Sequence, residues 1–223
     1  MAQQKGGDNI TRNIVIGMVL LVVLAGVGAS LFSSHSSKSS AKPIAAVAAN
    51  GYGITFNPSA KVRVDFWEDF QCPNCRNFEG VNGSYINSLV SSGKINAVFH
   101  SWAFIGPEST LASNAVACAS DAGKFLEYHT ALYANQSSTE NSGLWNNQVL
   151  IILGKSVGIT GKDFEKCVTS GKYVGWTSNI ETDARKQGVN STPTVFVNGK
   201  LMPQEDYFNP ANFTAYLQKA GVK

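Results

Sequence analysis

Two cysteines separated by two residues stand at the junction between a predicted strand and a predicted helix. In KVRVDFWEDFQCPNC, apolar residues alternate with polar ones ahead of Cys72, and helical spacing begins at Pro73. A proline fits the first position of a helix because its missing N–H would have no partner there. The order strand, Cys72-Pro73-Asn74-Cys75, helix therefore places one sulfur at a helix N-terminus and the second sulfur one turn further along.

This placement favours thiol–disulfide exchange. Backbone N–H groups and the positive end of the helix dipole face the sulfur of Cys72, which lowers its pKa and exposes a reactive thiolate to solvent, while Cys75 lies deeper. A zinc site is the alternative for such a pair, but Cys118 and Cys167 are 49 positions apart and have no second ligand beside them. We therefore predict a redox-active pair that uses neither a metal nor another cofactor.

An apolar segment near the N-terminus determines the compartment. Ile14–Phe32 has 19 residues without a charge, and such a helix spans roughly 28 Å, the thickness of a hydrocarbon core. Lys5 and Arg12 precede it, so the positive-inside rule predicts residues 1–13 in the cytoplasm and the remaining chain across the membrane. The small residues at 26–30 also fit a secretory signal. Either interpretation exports the cysteines to an oxidising compartment.

The remaining chain divides into a linker and one folded domain. Residues 33–50 are rich in serine and alanine and predict a flexible tether, and residues 51–223 suit a single core. Strand patterns at 52–56, 62–66, 95–104, 194–197 and 200–202 flank a helical block at about 107–187, and a last helix follows around 213–217. Within the block we predict one long helix over 107–133, which carries Cys118 and His129 on its inner face, then helices at 147–156, 162–170 and 174–187. The pattern predicts an α/β fold with an all-helical insertion.

Charge argues against one class of partner. The net charge is only +3 and the sequence has no basic run, so we expect no nucleic-acid binding.

The order of these motifs resembles a known family. VDFWEDFQCPNC, a helical insertion, GVNSTPTVFVNG and a terminal helix are similar to the DsbA family of thioredoxin-like oxidoreductases, especially its membrane-anchored bacterial members. The resemblance covers nearly all of residues 51–223 and implies a thioredoxin-like fold. It also implies that Cys72 is the nucleophile, Cys75 the resolving cysteine and Pro193 a cis-proline beside them, with Thr192 contacting substrate and Pro73 and Asn74 as neighbours. An ordinary strand-entry proline is the alternative for Pro193.

The resemblance extends to the second pair of cysteines. Similar anchored proteins carry a bridge in the helical insertion, which implies a structural disulfide between Cys118 and Cys167; two buried free thiols are the alternative. His129 resembles a hydrogen-bonded core histidine of the family. An apolar collar of Phe70, Trp102 and Phe104 around the site is a further hypothesis, with ordinary core packing as its alternative.

Two positions depart from the family pattern. Asn74 stands where the familiar form carries a histidine, which removes one source of positive charge near Cys72. Phe66 occupies the place of an acidic residue six positions before the first cysteine. Glu68 and Asp69 lie close enough in sequence to influence the pair, or they are solvated loop charges.

The resemblance implies a function and partners. We expect an extracytoplasmic dithiol oxidase, monomeric and held at the membrane, that introduces disulfides into exported unfolded or reduced proteins. A membrane reoxidase of the DsbB or VKOR type would restore its disulfide. A reductase or isomerase of the same fold is one alternative, because the redox potential sets the direction. A non-catalytic module that binds a metal or a client protein is the other.

Overall fold

One mixed β-sheet forms the centre of the described structure. The computed structural model describes residue 43 and residues 51–223. The strands are β1 (Ile54–Phe56), β2 (Arg63–Glu68), β3 (Asn96–Ser101), β4 (Thr194–Val197) and β5 (Lys200–Leu201), in the spatial order β1-β3-β2-β4-β5. β2 and β3 run parallel, and the other neighbouring pairs are antiparallel. The strands flank a helical insertion, as the sequence predicts.

Seven α-helices surround or extend from this sheet in the described residues. They are α1 (Pro73–Ser91), α2 (Pro107–Asp121), α3 (Phe125–Ala134), α4 (Asn147–Ser156), α5 (Lys162–Ser170), α6 (Val174–Lys186) and α7 (Pro210–Lys219), with a short 3₁₀ turn at Gln204–Asp206. Helices α2 to α6 form the insertion, which agrees with the predicted block at about 107–187.

The central strand β2 is the part of the sheet that positions the cysteines. Phe66 is fully buried and pairs in register with Phe99 of β3 and Val195 of β4. Its ring stacks on Phe99 with centroids 5.0 Å apart and contacts Phe78 of α1 at 6.3 Å. Buried apolar surface of this kind is the main stabilising contribution to a fold. The strand that leads to Cys72 is therefore fixed on both edges and by the helix that follows.

The prediction of one long helix over 107–133 is wrong. The chain breaks between α2 and α3, where Gly123 has a φ of 68°, a left-handed conformation that glycine adopts at little cost. The N–H of Lys124 donates to the carbonyl of Ala119 at 2.9 Å and closes the end of α2. Apolar spacing continues across the break because both helices bury a face, so periodicity alone does not reveal the turn.

The predicted membrane anchor is not among the residues that the structure describes. The expected cytoplasmic segment at 1–13, the anchor at 14–32 and, apart from residue 43, the tether at 33–50 lie outside them. Across residues 51–223, none of the helices has both the length and the apolar character that a membrane crossing requires.

Candidate functional site

The end of β2 and the start of α1 place the two cysteines as the sequence predicts. Cys72 is the N-cap residue of α1 with extended backbone angles, and Pro73 opens the helix. The carbonyl of Cys72 accepts the first helical hydrogen bond from the N–H of Arg76 at 3.1 Å. Both Cys72 and Cys75 are free thiols. The N–H groups of the first turn have no partner within the helix and are available to the sulfur of Cys72.

Asp69 holds the loop that connects β2 to the cysteines. Its carboxylate is fully buried and accepts hydrogen bonds from the N–H of Gln71 at 2.8 Å and the hydroxyl of Ser109 at 2.7 Å. The N–H groups of Phe104 and Ile105 also donate to it, each at 3.0 Å. The interpretation of Asp69 as a solvated loop charge is therefore wrong, since four donors fix it between the loop and the start of the insertion.

A glutamine of the insertion supports the same loop from the other side. The side-chain N–H₂ of Gln136 donates to the carbonyl of Phe70 at 2.9 Å and to that of Cys72 at 3.0 Å. The insertion therefore contributes directly to the position of the N-cap residue. Sequence reasoning missed this residue, because it lies beyond the end of α3 with no pattern that marks it.

The environment of Cys72 stabilises its thiolate. The pKa of Cys72 is lowered to about 6, first by a hydrogen bond from the thiol of Cys75, then by Thr192 and by the backbone N–H groups of Cys75 and Asn74, against an opposing effect of burial. The helix N-terminus therefore acts as predicted, but the neighbouring thiol contributes more. Only 6% of Cys72 is exposed, so its sulfur meets solvent over a smaller area than the sequence suggested.

Cys75 has the opposite character. It is fully buried, and burial raises the pKa of its thiol well above the ordinary value, as do its hydrogen bond to Cys72 and the negative charge of Glu68. The two sulfurs thus differ in acidity although they belong to the same helical turn. At neutral pH the reduced pair carries its negative charge on Cys72 and its proton on Cys75.

The segment before β4 lies against Cys72. The Thr192–Pro193 peptide bond is cis, and in its protonated form the thiol of Cys72 donates to the carbonyl of Thr192 at 3.4 Å. Residues 120 positions apart in the sequence are thus brought into contact. The motifs CPNC and STP, which the sequence could only place in order, form one site.

Behind the cysteines, three ionisable side chains from three elements come together. Glu68 ends β2, Glu79 lies on α1 and His129 lies on α3. The Nε2 of His129 is 3.0 Å from Oε2 of Glu68, and its Nδ1 is 3.8 Å from Oε2 of Glu79. Burial raises the pKa of each glutamate to about 8 and lowers the pKa of His129.

The cluster corrects the interpretation of Glu68 as a solvated charge, agrees with the prediction for His129, and adds Glu79. Glu68 is 3% exposed, so it is not a solvated loop charge. His129 is 2% exposed and hydrogen-bonded, as predicted for a core histidine. Glu79 was not anticipated, although it lies four positions after Cys75 and helix geometry places such residues on one face.

The predicted apolar collar is only partly present. Phe104 is 43% exposed, whereas Phe70 and Trp102 are buried. Phe70 contacts the rings of His129 and Tyr133, with centroids 5.5 Å and 5.1 Å away. Phe70 and Trp102 are therefore part of the hydrophobic core, and Phe104 is the one of these three residues that is exposed to a substrate.

The other two cysteines form a disulfide within the helical insertion. Cys118 of α2 and Cys167 of α5 are bonded, with Cα atoms 5.9 Å apart. Both are buried, and the bond joins two helices of the insertion.

The chain is similar to known proteins over most of its length. The profile of the family described as thioredoxin matches residues 53–219. A probable disulfide bond formation protein D of Bacillus cereus is 25% identical over 201 residues, which cover 88% of this chain and 91% of that protein.

Solved structures with the same fold include two from Mycobacterium tuberculosis. The reduced disulfide bond oxidoreductase DsbG is 30% identical with a TM-score of 0.63, and the match covers 73% of this chain and 80% of that one. Reduced DsbA is 26% identical with a TM-score of 0.65, over 77% of this chain and 93% of that one.

Proposed function

The chain belongs to the thioredoxin family and is a protein disulfide oxidoreductase of the DsbA-like type, and from this premise we propose that it is a dithiol oxidase that introduces disulfide bonds into exported proteins. The observation that carries this direction is the acidity of Cys72, whose pKa is lowered to about 6. A stabilised thiolate favours the reduced form of the enzyme, and a couple with a stable reduced form is an oxidant.

The reaction begins with the Cys72–Cys75 disulfide. A substrate thiolate attacks the sulfur of Cys72, a mixed disulfide forms, and the sulfur of Cys75 leaves and takes up a proton because its pKa is high. A second thiolate of the substrate then attacks the substrate sulfur of the mixed disulfide. Cys72 leaves as a thiolate, and the low pKa makes it a good leaving group. The substrate loses two electrons and the enzyme becomes a dithiol.

The segment at Thr192 and Pro193 positions the substrate chain in this proposal. The carbonyl of Thr192 lies 3.4 Å from the sulfur of Cys72, so a peptide bound along this backbone would bring its cysteine to the reactive atom. The exposed ring of Phe104 offers apolar contact to an unfolded substrate. Asn74 is exposed beside Cys72 and has no charge to add to the site.

Location and reoxidation belong to the same proposal. The apolar segment at residues 14–32 anchors the chain with residues 1–13 in the cytoplasm and the catalytic domain outside. The tether keeps that domain near the membrane, where a reoxidase of the DsbB or VKOR type restores the disulfide. The enzyme acts as a monomer and needs no cofactor besides its own cysteine pair.

The lowered pKa of Cys72 stabilises the reduced enzyme by a small amount of free energy. At pH 7, lowering the pKa from 9.0 to about 6 stabilises the reduced form by about 1.4 kcal/mol, which corresponds to about 30 mV for a two-electron couple. Solvent at the edge of the site reduces this figure to about 1 kcal/mol. The acidity of Cys72 therefore moves the couple toward oxidising values by a few tens of millivolts.

Two measurements on the purified chain test the proposal. Equilibration with glutathione buffers gives the potential of the Cys72–Cys75 couple, which we expect above about −220 mV; a lower value indicates a reductase. Oxidative refolding of a reduced, unfolded protein gives turnover, which Cys72→Ser should abolish. The matched control is the double variant Cys118→Ala/Cys167→Ala, which should retain turnover. A wild-type chain without turnover would mean a non-catalytic binding module.

A further inference from the structure

The buried cluster behind the cysteines contains more acidic groups than its surroundings neutralise. The side chains of Glu68 and Glu79 are 4% and 7% exposed, and His129 is 2% exposed. The two carboxyls hydrogen-bond to each other, and among the described residues neither forms an ion pair with a lysine or an arginine. Burying a charged carboxylate without a positive partner is unfavourable by several kcal/mol.

Two oxygen atoms of this cluster lack a hydrogen-bond partner. Oε1 of Glu68 and Oε1 of Glu79 are both inaccessible to solvent, and neither has a donor within the described residues. Buried polar atoms in folded proteins are nearly always paired, with protein, water or an ion. The unpaired oxygens of two buried side chains therefore indicate that another group belongs there.

The ligand atoms lie close enough together to share one ion. One oxygen of Glu68, one oxygen of Glu79 and one nitrogen of His129 lie within 4.8 Å of one another. Around a tetrahedral Zn²⁺ the ligand atoms are about 3.3 Å apart, so small side-chain rotations close the set. Gly83 leaves the space that the Glu79 carboxyl occupies, since a Cβ at this position would lie 2.6 Å from Oε2 of Glu79.

We propose that Glu68, Glu79 and His129 bind one divalent transition-metal cation of the zinc type. A neutral imidazole and two carboxylates together balance the charge of such an ion. Ca²⁺ prefers six to eight oxygen ligands and Mg²⁺ retains several waters, and neither requirement suits three enclosed ligands that include an imidazole. The site shares no ligand with the CxxC pair, and it links β2, α1 and α3. The ion therefore joins the sheet to the helical insertion directly behind the redox pair.

The sequence did not predict this site. The three ligands are separated by 11 and 50 positions and fit no short metal-binding motif. The proposal does not depend on the direction of the redox reaction, so either idea can fail while the other stands.

The decisive experiment uses the full-length chain in its oxidised form, in which Cys72 and Cys75 are bonded and cannot ligate a metal. Zinc content is measured by mass spectrometry after incubation with ZnCl₂, once on the native chain and once on the chain refolded with zinc, followed by dialysis. We expect about one zinc ion per chain, and less than about a tenth of that in Glu79→Gln and in His129→Gln. Glu127→Gln is the matched control, because Glu127 lies on the same helix as His129 and is exposed.

Two further readouts identify the ligands. Co²⁺ should give visible d–d absorption without a sulfur-to-cobalt charge-transfer band, and zinc should raise the unfolding temperature of the wild type and of Glu127→Gln but not of Glu79→Gln. Absence of zinc from the wild-type chain under both loading conditions overturns the proposal. Zinc binding that survives both Glu79→Gln and His129→Gln overturns it as well, because the ion then lies elsewhere.

Discussion

Replacing Cys75 by alanine should raise the pKa of Cys72, because the thiol of Cys75 is the largest contributor to the acidity of its neighbour. A hydrogen bond to a charged acceptor contributes about 1.5 to 3 kcal/mol, and about 1.4 kcal/mol corresponds to one pKa unit. Losing this bond should therefore raise the pKa of Cys72 from about 6 to between about 7 and 8. The pKa stays below that of free cysteine because the N–H groups of the first helical turn remain.

Cys75→Ser is the matched variant, since its hydroxyl keeps a donor at the same position and should hold the pKa within about half a unit of the wild type. The assay is the thiolate absorbance of the reduced protein in the ultraviolet, followed as a function of pH. In the wild type the two thiols titrate separately, because the pKa of Cys75 is raised far above that of Cys72. The reasoning fails if the alanine variant titrates at the wild-type pH, or if Cys72 of the wild type titrates like free cysteine.

Asn74→His adds positive charge beside the thiolate, so it should lower the pKa of Cys72 and raise the redox potential by tens of millivolts. Asn77→His, one turn further along the exposed face, should change both quantities less. Equal effects of the two variants would contradict a local cause. Removing the Cys118–Cys167 bond, which closes a loop of 49 residues, should lower the free energy of unfolding by about 4 kcal/mol. Oxidase turnover should persist. Loss of turnover in a folded double variant would assign the bond a catalytic role. The pKa of Cys72 is lower in the folded than in the unfolded chain, so its stabilising contribution to the reduced form is lost as pH falls through about 6 and is complete only above about 9. Denaturant unfolding of the reduced wild type and of Cys72→Ser from pH 5 to 9 should show that the difference in their free energies of unfolding widens as pH rises. A constant difference would refute the linkage.

Local patterns were sufficient to predict most of the elements. The helices at Asn147–Ser156 and Lys162–Ser170 and the strand at Thr194–Val197 have the predicted bounds, because each is a short amphipathic or buried run between glycine or proline signals. The break at Gly123 was missed, since both sides of it bury apolar residues at the same spacing. A glycine within a periodic stretch does not reveal whether the chain turns there.

The site was predictable where one segment carries the chemistry and not where distant segments meet. Cys72 and Cys75 were assigned correctly to the helix start, because the cap position and Pro73 are local features. The contribution of Cys75 to the acidity of Cys72 was not anticipated, and the cluster of Glu68, Glu79 and His129 depends on contacts between three elements that periodicity does not describe. Tertiary packing decides which charged residues are buried, and this explains why Glu68 and Asp69 could not be distinguished from solvated charges.

The redox state of the pair in living cells tests the central claim most directly. Rapid acid quenching followed by alkylation and intact mass measurement counts the free thiols per chain, and the bonded Cys118 and Cys167 contribute none. For a dithiol oxidase supplied by a membrane reoxidase, most chains should carry no alkyl group, which means that Cys72 and Cys75 are joined. A population in which most chains carry two alkyl groups would contradict the account, because the enzyme would then be held as a reductant.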